Sequence, residues 1–261
     1  MNKFKEKFSA LSVKNKIAFM PFVIAGFPNF KKSLKIAATL CKTADFLEIG
    51  FPYSDPLADG PVIQQADLVA LQNGLTTKKA FEFVKKIRTS TKIPFTIMVY
   101  ANVVYQAGIE SFYRQAKKAG ADAVLVPDAP LEEMAPFIKA AKKAGILPIF
   151  LVTQTTTNQR LAKILKFAEG FLYVVSILGV TGDKQTFSAQ TFNLIRRIKS
   201  QIKLPLAVGF GISKKEQVVK LKKAGANGVI VGSALIKIVN EFKNNNDLYS
   251  KLINYGKELT G

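Results

Sequence analysis

One phrase recurs along this 261-residue chain: an amphipathic stretch that ends in two lysines and a glycine, followed at once by a short apolar run. QAKKAGADAVLVPD ends at Asp128, AAKKAGILPIFLV at Val152 and KLKKAGANGVIVGS at Ser233, and KTADFLEIG and FAEGFLYVVS are looser copies. The physics is the same each time. The lysines occupy a last helical turn, where positive charge complements the negative end of the helix dipole. Gly120, Gly145 and Gly225 supply the left-handed residue that closes a helix. The apolar run that follows has the length of a strand.

Eight such strands can be traced, at 19–24, 46–49, 95–99, 123–127, 147–152, 171–176, 205–209 and 228–232. Pro94, Pro148 and Pro205 stand at or just before strand starts, where a missing N–H is tolerated. Amphipathic helical patterns lie between. In the one from Ala107 to Lys118, residues Ile109, Phe112, Tyr113 and Ala116 share a face. Strands apolar on both faces and alternating with helices imply a parallel sheet. Eight units within this length favour closure, since such barrels run to about 250 residues. The expected fold is α/β, a (β/α)8 TIM barrel. With no Pro/Gly/Ser linker and no shift in composition, residues 1–261 are read as a single TIM-barrel domain, with an extra N-terminal helix at 2–14 capping the barrel floor. The chemistry of such a barrel lies at the C-terminal ends of its strands.

Composition removes several kinds of chemistry. The chain has no histidine and one cysteine, Cys41, so it offers no imidazole base, no His-bound metal, no internal disulfide and no cysteine zinc site. Cys41 lies in an apolar helical stretch and reads as core rather than nucleophile. Acid–base work falls to Asp, Glu, Lys or Tyr. A net charge of +20 admits a polyanion-binding surface, but the lysines are spread along the whole chain, aromatics do not interleave with them, and no nucleic-acid motif is visible; solvated helix faces are the simpler reading. No apolar run approaches the roughly 20 residues of a membrane helix. The first 16 residues lack a continuous apolar segment and a cleavage site, and Glu6 and the scarcity of Arg speak against a transit peptide. The chain is therefore expected to work where it is made, in a cytoplasm or, if organelle-encoded, a plastid stroma.

The segment FLEIGFPYSDPLADGP, residues 46–61, carries the first candidates. Strand alternation puts Phe46 and Glu48 on one face and Leu47 and Ile49 on the other. A carboxyl inside the barrel mouth loses solvation and its pKa rises, which suits proton exchange near neutrality; the alternative is a buried Glu satisfied by a lysine or by backbone donors. The following loop is stiffened by Pro52, Pro56 and Pro61 and carries Asp55 and Asp59. Asp59 is either the acid of an ordinary Asp-Gly turn or a second carboxylate folded over the mouth.

The ends of the last two strands read VGFGIS (208–213) and VIVGSAL (229–235). Barrels often hold a phosphate there, with glycines letting backbone N–H groups approach it. Gly209, Gly211 and Gly232 fit that role, and Ser233 adds a hydroxyl that can also cap the next helix; capping alone is the plainer alternative. SILGVTGDKQTF, 176–187, has Thr181 between Gly179 and Gly182, as in a hinged lid. Phe22, Tyr100 and Tyr173, at or near strand ends, face the pocket or fill core. Asp128 reads as structural. A Schiff-base aldolase needs a desolvated lysine on a strand, and none of the eight strands carries one. What remains is phosphate binding with carboxylate acid–base catalysis.

LEIGFPYSDPLADGPVIQQA resembles the signature of the tryptophan synthase alpha family almost throughout. PFVIAGFP, YANVVYQAGIESFY, VPDAPLEE, GVTG, GFGIS and VGSA extend the likeness, in order, over about residues 19–238. The resemblance implies a carbon–carbon lyase of tryptophan biosynthesis that splits indole-3-glycerol phosphate into indole and glyceraldehyde 3-phosphate. It implies that Glu48 is the acid–base that protonates the indole C3, and that Asp59 holds the indole N–H and stabilises the cation. It assigns the phosphate to Gly182, Gly211, Gly232 and Ser233, the indole pocket to Phe22, Tyr100, Tyr173 and Phe210, and lid closure over Asp59 to Thr181. It implies no cofactor in this subunit and a partner beta subunit carrying pyridoxal phosphate, in an alpha2-beta2 heterotetramer, with Ser54–Ala58 at the contact. Ile24, Phe27, Gln154, Ile177 and Leu178 depart from the family's usual residues, which bears on lid closure and coupling. Another phosphate-binding barrel, an isomerase or epimerase, is the alternative; the paired Glu48 and Asp59 count against it.

Overall fold

A computed structural model of the chain describes residues 2–176, 178–179 and 186–260. Eight parallel strands close into a barrel: β1 (Ala18–Ile24), β2 (Leu47–Gly50), β3 (Phe95–Met98), β4 (Ala123–Leu125), β5 (Leu147–Val152), β6 (Leu172–Val175), β7 (Leu206–Gly209) and β8 (Gly228–Val231). Each pairs with its neighbours in sequence, and β1 closes the ring on β8 with Ala18 opposite Gly228. Helices α1 (Lys3–Val13), α2 (Phe30–Leu40), α3 (Pro61–Gln72), α4 (Thr77–Ser90), α5 (Ala101–Ala107), α6 (Ile109–Ala119), α7 (Ala135–Ala144), α8 (Asn158–Leu165), α9 (Ala189–Lys199), α10 (Lys215–Ala224), α11 (Ser233–Phe242) and α12 (Leu248–Thr260) complete the described elements, with a short 3-10 helix at Leu131–Glu133 and a two-stranded antiparallel ribbon of Leu178–Gly179 and Thr186–Phe187. No described helix is long and apolar enough to cross a membrane.

The repeated phrase does what its chemistry demands. Gly120, Gly145 and Gly225 close α6, α7 and α10 with φ of +100°, +66° and +109°, behind pairs of last-turn lysines. The polar residue just after AGA has a further task. Asp122 accepts from the Phe95 N–H at 2.9 Å, and Asn227 from the Leu206 N–H at 3.0 Å. Asp45, in the looser copy, takes the Phe19 N–H at 3.1 Å. Each stands ahead of one strand and ties down the start of the preceding one, satisfying a backbone donor at the barrel floor.

The strands lie within one or two residues of the sequence reading. The fourth is shorter, ending at Leu125 rather than 127, because Pro127 has no N–H for the ladder and the Asp128 carboxylate instead accepts from the Ala101 N–H at 2.8 Å. The pattern from Ala107 to Lys118 is not one helix. The chain turns at Gly108, φ +74°, and α6 starts afresh at Ile109; side-chain periodicity runs on through that break and does not reveal it. The N-terminal helix is present, with Asn2 capping the Lys5 N–H.

Helix α1 plugs the floor. Phe4 is fully buried, its ring stacked 5.1 Å from that of Phe46 and 5.5 Å from that of Phe171, and Phe8 packs 4.5 Å from Phe46. Lys3 ties the helix to Asp122 at 2.7 Å, a carboxylate also held by Arg88 at 2.8 Å. Phe4→Ala is expected to cost about 3–5 kcal/mol of stability, measured by urea unfolding, while leaving the mouth and its chemistry unchanged at permissive temperature.

Candidate active site

A cavity of about 440 Å³ opens at the C-terminal ends of the strands. One wall is the interior face of β1 and β2. Phe22 and Glu48 are paired in register, and Gly50 follows one step nearer the mouth. Glycine is required there: a β-carbon on Gly50 would lie 2.6 Å from the Phe22 ring, and one on Gly232 at 3.0 Å. Gly209 serves Tyr173 in the same way, for a β-carbon would sit 2.2 Å from its hydroxyl. Two aromatic rings thus enter the barrel only because the neighbouring strand ends carry no side chain.

Glu48 is fully buried, and neither carboxyl oxygen has a hydrogen-bond partner. The sequence left open a Glu satisfied by lysine or backbone; the structure places no such partner on it. Burial, with the nearby Asp59 carboxylate adding, pushes its pKa up to about 8. Asp59 faces the same cavity from the proline-stiffened loop. Burial raises its pKa too, but the Tyr100 hydroxyl donates to it at 2.7 Å and draws it back down. That hydroxyl in turn accepts the Ala58 N–H at 3.2 Å, and Tyr53 stacks on the Tyr100 ring at 5.1 Å. The two carboxyls therefore differ in surroundings: Glu48 is an unpartnered acid pushed up to about 8, and Asp59 a hydrogen-bonded one whose rise the Tyr100 hydroxyl opposes.

Part of the cavity wall is backbone. Gly211, Gly232 and Ser233 line it, below the start of α11. The first helical bond there is Ile236 N–H to the Gly232 carbonyl, so the N–H groups ahead of it lack helical acceptors. Gly232 is the cap residue and no side chain caps α11, so the expected capping role of Ser233 is not met and its hydroxyl stays available. Phe210 and Gly211 both have positive φ, +74° and +73°. For Phe210 this is a strained backbone, stabilised by Ser176, whose hydroxyl donates to the carbonyls of Gly209 and Phe210. Phe210 sits edge-on to Tyr173, ring centres 6.2 Å apart.

Of the residues singled out in sequence, Phe22, Glu48, Asp59, Tyr173, Phe210, Gly211, Gly232 and Ser233 line this one cavity. Tyr100 is brought to the site through Asp59 instead. Thr181 and Gly182 lie outside the described residues. Cys41 ends α2, half-buried, its thiol pushed up to about 12 chiefly by burial.

Three contributors escaped the sequence reading. Lys237, one helical turn beyond Ser233, is the only cation lining the cavity among the described residues; its position four residues after Ser233 is the signal, because helical side chains lean toward the helix N-terminus. Ser176 braces the strained turn. Asp67 of α3 is a further buried acid, pushed up to about 8 by burial first and Asp59 second.

The family model for the tryptophan synthase alpha chain matches residues 8–259. The tryptophan synthase alpha chain of Methanothermobacter thermautotrophicus is 47% identical over 223 residues, covering 85% of this chain and 83% of its own length. That of Methanoregula boonei is 45% identical over 240 residues, 92% and 91% of the two chains. Among solved structures, a chain of the tryptophan synthase alpha2-beta2 complex of Pyrococcus furiosus superposes with a TM-score of 0.88 at 38% identity, over 94% of this chain and 98% of that one. A barrel whose cavity is lined by two carboxyls and by bare backbone N–H groups, matched along nearly its whole length, belongs to the tryptophan synthase alpha chain family.

Proposed function

We propose that Glu48 and Asp59 carry the reaction of this lyase, the retro-aldol cleavage of indole-3-glycerol phosphate to indole and glyceraldehyde 3-phosphate. The reading rests above all on the unpartnered Glu48 carboxyl, its pKa pushed up to about 8, in the same cavity as Asp59, whose own rise the Tyr100 hydroxyl opposes. Glu48 delivers its proton to indole C3, which leaves the ring system cationic. Asp59 accepts the indole N–H and offsets the positive charge on that nitrogen, a stabilisation largest when the charge is full. Glu48, now a carboxylate, takes the proton from the glycerol hydroxyl next to the ring. The carbon–carbon bond breaks, its electron pair returns to the indole, and an aldehyde forms.

The substrate's other end supplies binding. Gly211, Gly232 and Ser233 present backbone N–H groups and one hydroxyl to the phosphate, with Gly182 joining them, and Lys237 brings the positive charge a dianion requires. Phe22, Tyr173 and Phe210 sandwich the indole, Tyr100 fixes Asp59, and Thr181 closes the lid. The chain acts as one barrel domain in a cytoplasm or plastid stroma and needs no cofactor of its own. By likeness to the Pyrococcus furiosus complex it assembles with a beta subunit, two of each, the pyridoxal phosphate residing in the partner. Leu57, 83% exposed on the proline-rich loop, is the apolar residue of Ser54–Ala58 offered to that contact.

The assay is indole release from indole-3-glycerol phosphate, with and without a beta subunit; no indole from the assembled complex overturns the reading. Glu48→Gln is expected to lower kcat by roughly 10²–10⁴-fold and Asp59→Asn by about 10²–10³-fold, with KM little changed. Lys237→Gln should raise KM about tenfold, the worth of one charge-assisted hydrogen bond, with kcat nearly intact and turnover of the unphosphorylated indole-glycerol unaffected. The pKa of Glu48 also sets a stability slope. Between the ordinary glutamate range and about pH 8 the native state holds a proton that the unfolded chain has lost, so stability falls as pH rises through that window. Glu48→Gln removes this contribution and leaves that of Asp67, whose pKa is also pushed up to about 8; its Tm relative to the wild type should be higher at pH 9 than at pH 5.

A further inference from the structure

Among the described residues, the only buried side-chain oxygens without a hydrogen-bond partner are the two of Glu48 and the hydroxyl of Thr96. The three belong together. Thr96, on β3, is the register partner of Glu48 on β2, so both side chains point into the barrel from adjacent strands. The interior row runs Phe22, Glu48, Thr96, Ala123 and Leu147, and only two of its members are polar. Both are wholly buried. A hydroxyl sealed in an apolar layer carries the full desolvation cost of an unmade hydrogen bond, and the only acceptor beside it in the row is Glu48. Rotation about side-chain torsions is the smallest change that joins them.

We propose that Thr96 is the positioning residue for Glu48, its hydroxyl donating to one carboxylate oxygen when Glu48 is ionised and leaving the other to the substrate. Thr96 does not line the cavity and acts only through Glu48. A donor there favours the charged form, opposing the burial that raises the Glu48 pKa, so the proton moves both ways in one catalytic cycle. The other titratable groups lining the cavity with Glu48 are Asp59 from the loop after β2, Tyr173 from β6 and Lys237 from α11. None belongs to β3, so the Thr96 contribution is separable from theirs. The catalytic consequence rests on the role proposed for Glu48; the titration itself does not.

The test measures the Glu48 titration directly, by infrared difference spectroscopy of the protonated carboxyl, with the band assigned by its loss in Glu48→Gln. The pH profile of kcat/KM is measured alongside. Thr96→Val keeps the shape and removes the donor; it should shift the Glu48 titration upward by about one pH unit, a tenfold change in the acid constant, and move the matching limb of the rate profile with it. Thr96→Ser should restore both. Thr96→Ala replaces the valine variant if that fails to fold. An unchanged or lowered titration in the variants without a hydroxyl, or an equal shift in Thr96→Ser, overturns the proposal. A shifted titration in a protein that releases no indole would uphold Thr96 while removing the function assigned to the site.

Discussion

The Glu48 carboxyl lies on an interior row of a closed parallel barrel, out of reach of water, and the rest of the mouth is arranged around that fact. An ion so placed costs several kcal/mol, and the protein meets the cost by leaving the group protonated rather than by pairing it. Asp59, beside it, accepts a hydrogen bond from the Tyr100 hydroxyl, which in turn accepts the Ala58 N–H.

The cavity that this acid borders is shaped by what is missing at strand ends. Gly50, Gly209 and Gly232 make room for the rings of Phe22 and Tyr173, and the strained Phe210–Gly211 turn directs backbone toward the same space. At the opposite end the barrel is filled by the phenylalanines of α1 and tied by Asp45, Asp122 and Asn227. The strained Phe210 turn and the unpartnered Glu48 lie at the mouth, whereas at the floor the N–H groups of Phe19, Phe95 and Leu206 are paired.

Much of this was legible in the sequence because it follows from short-range rules. Lysine pairs, αL glycines and apolar runs gave the strand order to within a residue or two, and alternation alone aimed Glu48 inward. What stayed hidden depends on distance in space. Gly108 interrupts a helix without disturbing the apolar spacing on either side. Lys237 looks like one more solvated lysine until α11 is seen to begin at the cavity. Thr96 is an unremarked residue of an apolar strand until register sets it beside Glu48. That Ser233 leaves α11 uncapped could not be read from a motif that fits capping and anion binding equally well.

Closure itself has a consequence for how such a chain comes into being. Seven of the eight strand pairings join segments adjacent in the sequence and can form as each unit leaves the ribosome. The eighth joins Ala18 to Gly228, across nearly the whole length of the chain. Until the last strand emerges, β1 presents an open, wholly apolar edge, the kind of template that recruits other chains. The nascent protein is therefore most vulnerable to aggregation late in synthesis, when seven strands are assembled and the ring is still one strand short.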